Sequence, residues 1–147
     1  MKKIIITAVV FLTVGMTAAF ANGGDKIPSK VLASFQREFA QAQNVKWDVV
    51  QDYVKAAFIL SDFRVEAYFN NEGELMGTAR NILFNQLPLS VIKQLNQRFG
   101  SVPVYEIVEY NSGSDTFYNM KVELTTKIFQ LKANPSGEVF VEKKIRK

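Results

Sequence analysis

Residues 27–39 read IPSKVLASFQREF, and residues 87–99 read LPLSVIKQLNQRF. This near-repetition constrains the fold more than any other feature of the chain. Val31, Leu32, Phe35 and Phe39 fall at i, i+1, i+4 and i+8, and Val91, Ile92, Leu95 and Phe99 keep that spacing. Such spacing lines one face of a helix. Pro28 and Pro88 stand just inside the two expected starts, where a fixed φ suits the first turn. Burying a side chain such as Phe35 is worth about 1.5–3 kcal/mol. Each helix therefore needs an apolar surface to lie on.

Strand-like segments follow in both halves: 45–50, 53–60, 63–70 and 74–82, then 104–110, 117–124, 127–133 and 138–145. Gln51-Asp52 and Ser61-Asp62 read as two-residue hairpin loops, although neither carries the favoured Gly. Asn71-Glu72-Gly73 reads as a three-residue loop in which Gly73 supplies a positive φ. A two-residue loop sets its flanking residues opposite each other on one face. Leu60 then meets Phe63, and Val50 meets Tyr53. Val54, Ala56, Phe58 and Leu60 share an apolar face with Phe63, Val65, Ala67 and Phe69, joined by Val45, Trp47 and Val49. Met120, Val122 and Leu124 match Phe129, Leu131 and Ala133 in the same way across Thr125-Thr126.

Asn134-Pro135-Ser136-Gly137 takes the place of Asn70-Asn71-Glu72-Gly73. The offset grows from 60 at the helices to 64 at this turn, and the extra residues are expected in a longer hairpin tip, 111–115. The expected fold class is α+β. It comprises two tandem repeats, 22–84 and 85–147, each one helix followed by a four-stranded antiparallel β-meander with the helix on one sheet face. The repeats are expected to pair as two similar units in one compact domain, or to share a larger sheet.

The first residues, MKKIIITAVVFLTVGMTAAFA, place two lysines before an apolar run that ends in Ala19-Phe20-Ala21. Charge, apolar run and small-residue site in that order read as a secretory signal peptide over residues 1–21. No Cys follows the run, so a lipoprotein is not expected. The expected location is the periplasm, with no integral membrane segment after cleavage. Removal of Lys2 and Lys3 lowers the formal net charge from +4 to +2, which gives little support to a nucleic-acid partner.

The chain has no Cys and no His. Disulfides, thiol nucleophiles, Cys/His zinc sites and imidazole-based triads are excluded. An exported chain this small then depends on its apolar core, for which it holds twelve Phe, five Tyr and one Trp. Most acidic residues, such as Asp48, Glu66, Glu106 and Glu123, fall at turns or on the polar strand face, where cross-strand pairing explains them. The stretch 70–74 lacks calcium-loop spacing. No phosphate-binding loop, dinucleotide fingerprint or GxSxG occurs. An enzyme is not expected, nor a catalytic residue, cofactor or metal. Lys143, Lys144, Arg146 and Lys147 could touch anionic lipid or nucleic acid, but a solvated basic tail is the reading preferred.

The register leaves Lys46, Asp48, Val50, Tyr53, Lys55, Arg64, Glu66, Tyr68 and Met76 on the polar face. The second half adds Tyr110, Phe117, Lys121, Ile128, Lys132 and Phe140. Aromatics mixed with Arg, Lys and Met have the composition of protein-binding surfaces. Solvated cross-strand pairs, or packing between the two units, would account for the same residues. Tyr53, Lys55, Arg64, Tyr68 and Met76 are the candidate contact residues.

The ordered set Pro28, Val31, Phe35, Phe39, Ala42 and Val45-Lys46-Trp47, then Phe58, Ala67-Tyr68-Phe69 and Gly73, then Leu87-Pro88 and Val91, resembles the PepSY-like, beta-lactamase-inhibitor-like proteins. These are small exported bacterial proteins. The resemblance spans nearly all of the chain after residue 21. Ala40 departs from it, since the family often has Pro after the Phe. The resemblance implies a fold like that of the secreted beta-lactamase inhibitor protein (BLIP), and a periplasmic location. It does not by itself imply inhibition, because fold does not fix function.

The function expected is a non-catalytic, exported protein-binding module that uses the open sheet face. Its partner would be another envelope protein, and inhibition of that protein is one form the binding could take. The alternative is a binder of glycan or other envelope ligands in the groove between repeats. Trp47, the natural stacking platform for a sugar, is instead expected to face the core.

Overall fold

A computed structural model describes residues 26–147. The expected signal peptide lies outside the described residues. The elements run α1 (Ser29–Glu38), β1 (Gln43–Val50), β2 (Tyr53–Leu60), β3 (Phe63–Phe69) and β4 (Leu75–Asn81). After a 3-10 turn at Phe84–Gln86 come α2 (Leu89–Phe99), β5 (Val104–Ser112), β6 (Asp115–Glu123), β7 (Lys127–Ala133) and β8 (Val139–Arg146). Pro28 and Pro88 precede their helices by one residue rather than opening them. Lacking an N–H costs nothing there, and the Pro28 carbonyl accepts from the Val31 and Leu32 amides at 3.0 and 3.2 Å.

The expected fold class is corrected by the sheet. All eight strands form one antiparallel sheet in the order β1 to β8, and every neighbour in sequence is a neighbour in space. The chain is not two helix-plus-meander repeats with separate four-stranded sheets. Pairing of β4 with β5, Thr78 opposite Asn111 through Asn81 opposite Val108, makes the sheet continuous. Hydrophobic periodicity describes the faces of a strand; its edges are backbone, and no side-chain pattern reports whether they are paired.

One row of cross-strand partners shows where the helices lie. Phe58, Val65, Arg80, Glu109, Tyr118 and Ala133 stand side by side across six strands. Phe58 and Val65 belong to the cluster under α1, with Val31, Phe35, Val54, Ala56, Ala67 and Phe69. Tyr118 and Ala133 belong to the cluster under α2, with Val91, Leu95, Met120, Val122 and Leu131. Both helices therefore cover the same face. The segment between β4 and α2 adds Ile82 and Leu87 to the second cluster. Phe35 anchors the first, its ring centroid 4.9 Å from Trp47, 5.1 Å from Phe58 and 5.5 Å from Phe39.

The expected strand partners Leu60–Phe63 and Val50–Tyr53 are observed. Ser61 and Asp62 take φ of 48° and 68°, a conformation of type I′ kind built without Gly. The extra residues of the second half do not enlarge a hairpin tip. They lengthen β5 and β6, which run to Ser112 and Asp115 and leave a two-residue loop at Gly113-Ser114.

Each helix is held to the sheet at its first turn. Gly73 adopts φ of 85°, and a Cβ on it would lie 2.6 Å from the Lys30 carbonyl oxygen. Asn70 Oδ1 shapes this turn by accepting from the Glu72 and Glu74 amides, and Lys30 pairs with Glu72. Asn134 Oδ1 accepts from the Glu138 amide in the β7–β8 turn, where Ser90 Oγ donates to the Pro135 carbonyl at 2.7 Å.

Two substitutions test this account. Replacing Ser61-Asp62 by Asn-Gly relieves two strained residues, so chemical denaturation is expected to show a gain of about 0.5–1 kcal/mol. Gly77→Ala sets a Cβ 2.6 Å from the Asn111 carbonyl oxygen at the β4–β5 junction. Overpacking there is expected to cost about 1–3 kcal/mol in the same measurement.

Candidate protein-binding face

Opposite the helices, the sheet carries a second set of rows. Lys46, Ala57, Glu66, Ala79, Tyr110 and Phe117 form one, and Asp48, Lys55, Tyr68 and Gly77 form another. The small residues Ala57, Gly77 and Ala79 fall near the centre. Ala79 is nevertheless only 4% exposed.

Aromatic rings cross this face. Tyr53 and Tyr68 have ring centroids 5.9 Å apart. Tyr110 and Phe117 stack at 4.9 Å and 11°. Lys132 Nζ lies 4.2 Å from the Phe117 centroid, a cation–π contact. The Tyr68 hydroxyl donates to Glu66 Oε2 at 2.8 Å, and the Arg64 guanidinium reaches the other Glu66 oxygen at 4.0 Å. Burial first, then the neighbouring Glu66 carboxylate, pushes the Tyr68 phenol well above the ordinary tyrosine range.

The five candidate residues are only partly brought together. Lys55 stands opposite Tyr68 and pairs with Asp48 at 3.5 Å. Arg64 is joined to Tyr68 through Glu66. Met76 is the extra residue of a bulge between the Phe69–Leu75 and Tyr68–Gly77 pairs, and is 41% exposed. The bulge breaks the alternation, so Thr78 and Arg80 lie on the helix-bearing face although they follow Met76 at even spacing.

Sequence reasoning missed what that shift creates. Arg80 Nε donates to Glu109 Oε1 at 2.7 Å in the middle of the helix-bearing face. Asn111 also donates to Glu109, at 3.3 Å, and accepts from the Thr116 hydroxyl at 2.7 Å. Burial first, then Glu109, raises the Tyr118 phenol. A bulge leaves no composition signal in LMGTAR beyond its Gly.

Other features offer less chemistry. A cleft of 430 Å³ between α1 and the β3–β4 turn holds Lys30, Arg37, Glu38 and Glu72, but these pair with one another. No group of three or more metal-ligating side chains occurs among the described residues. No helix among them is long and apolar enough to cross a membrane.

Solved structures from Bacteroides species share this architecture. A BLIP-like protein from Bacteroides fragilis superposes with a TM-score of 0.72 at 19% identity, over 84% of this chain and 91% of its own. A DUF2874 family protein from Bacteroides ovatus gives 0.71 at 20% identity, over 84% and 89%. A protein from Bacteroides eggerthii described as periplasmic gives 0.71 at 16% identity, over 83% and 90%. The chain has a BLIP-like fold. No family model matches it and no curated protein does, so the PepSY-like part of the resemblance is not shown.

One tyrosine on each face of the sheet makes a prediction about pH. Tyr68 and Tyr118 are both raised above the unfolded value near 10. A group raised in the folded state contributes stability that is complete below its unfolded pKa and is lost as pH climbs toward the folded one. Stability is therefore expected to fall above about pH 10. Phenolate absorbance should show Tyr68 and Tyr118 titrating late, and Tyr68→Phe should remove one late component.

Proposed function

We propose that this chain is an exported, non-catalytic module that binds another envelope protein through the open face of its sheet. The observation that carries the reading is the set of aromatic and cationic side chains across that face, Tyr53 and Tyr68 on β2 and β3 and Tyr110, Phe117 and Lys132 on β5 to β7, on the face opposite the helices. Tyr side chains supply large contact area with few rotatable bonds, and such residues dominate interface energetics. The rigid sheet holds them with little left to order on binding. The apolar run and small-residue site at residues 4–21 support export, and the periplasmic description of the Bacteroides eggerthii neighbour agrees with it. The BLIP-like neighbour makes inhibition of a target enzyme one form such binding could take.

A glycan-binding groove has less to support it. Trp47 is packed against Phe35 on the helix-bearing face rather than offered to a sugar ring.

The test is to tag the protein in its native host, identify what co-purifies from the envelope, and measure affinity for it. Tyr53→Ala, Tyr68→Ala and Arg64→Ala are each expected to weaken binding about tenfold or more while the folded protein melts normally. If all three leave affinity unchanged, the open-face site is wrong.

A further inference from the structure

The basic C-terminal run is not a tail. It forms β8, an edge strand paired with β7 along its whole length. Charge is also unevenly distributed along the chain. Residues 26–126 hold ten basic and eleven acidic side chains, whereas residues 127–147 hold six basic and two acidic. One of those two, Glu138, is engaged by Asn134 in the turn.

The cations of this hairpin are not neutralised. Lys127, Lys132, Lys143, Lys144 and Arg146 have no carboxylate within ion-pair distance among the described residues, while Lys147 pairs with Glu123. Six of the ten basic residues before them do have one. Lys127 stands directly opposite Arg146 in the β7–β8 ladder. Like charges at that position repel and cost stability. Protection of an exposed edge explains lysines on β8, but not Lys127, which sits on an interior strand.

We infer that the β7–β8 hairpin is a docking surface for anionic lipid headgroups. Lys143 lies on the open face, and Lys144 and Arg146 on the other, so cations flank both sides of a free sheet edge. A pocket for one anion would converge its donors. This arrangement spreads them, as a plane of many phosphates requires. The inference does not depend on the protein-binding reading of the open face.

The experiment is co-sedimentation of the purified protein with phosphatidylcholine vesicles, with and without phosphatidylglycerol, at 0.15 M salt. Binding is expected only to the anionic vesicles, and is expected to weaken as salt rises. Lys143→Gln, Lys144→Gln and Arg146→Gln together should abolish it. The same neutralisation at Lys26, Lys46 and Lys93, which also lack ion pairs, should leave it nearly intact. Lys127→Glu separates function from folding: it sets opposite charges across the ladder, so the melting temperature should rise while vesicle binding falls several-fold. Equal loss from both triple variants would overturn the inference, as would absence of binding to anionic vesicles. An acidic protein would then be the occupant to seek.

Discussion

The β4–β5 ladder is the contact on which the rest of the molecule depends. Without it, each helix would cover a four-stranded sheet with raw edges on both sides. With it, two apolar clusters sit under one continuous sheet, and the opposite face extends over eight strands. The ladder is short, from Thr78 to Asn81, and the chain adapts to make it. Gly77 leaves room for the Asn111 carbonyl, and Ser112 Oγ donates to the Met76 carbonyl at 3.0 Å. Arg80 and Glu109 face each other where neither helix supplies apolar cover. Glu109 has a side chain only 12% exposed, and its pairing with Arg80 keeps that charge from standing alone.

A chain with no disulfide must hold its elements by packing and turns. Here the two tasks meet at the helix N-termini. The β3–β4 and β7–β8 turns each place a glycine of positive φ against a helix backbone, at Lys30 and Ser90, and each is wired internally by an asparagine. The helices are thereby fixed in direction as well as in depth, so Phe35 and Leu95 always land on the same strands.

The two faces divide the chemistry. The helices cover the two apolar clusters, and the open face retains rings, a few small residues and charges, several of them paired. More than half of the described cations left without an ion pair lie instead on the β7–β8 hairpin. The molecule therefore offers two adjoining surfaces, one rich in aromatic area and one in positive charge, with Lys132 common to both.

Much of this was legible in the sequence. Both helices followed from the spacing of Val31, Phe35, Val91 and Leu95. The hairpin partners of β2 and β3, and the residues of the open face on β1 to β3, followed from alternation and loop length. Those are local properties, decided by periods of 3.6 and 2 along a single segment. What remained hidden involved groups that carry no side-chain pattern. The single sheet depends on backbone edges meeting between residues thirty positions apart. Arg80 reached the helix-bearing face through a bulge at Met76, one extra residue that reverses alternation without altering composition. The strand at 138–145 was expected from its residues, but not that it would end the single sheet as a free edge beside β7. Local residue order determined the elements and their apolar faces; only the tertiary pairing of backbone to backbone decided which charges and rings would end as neighbours.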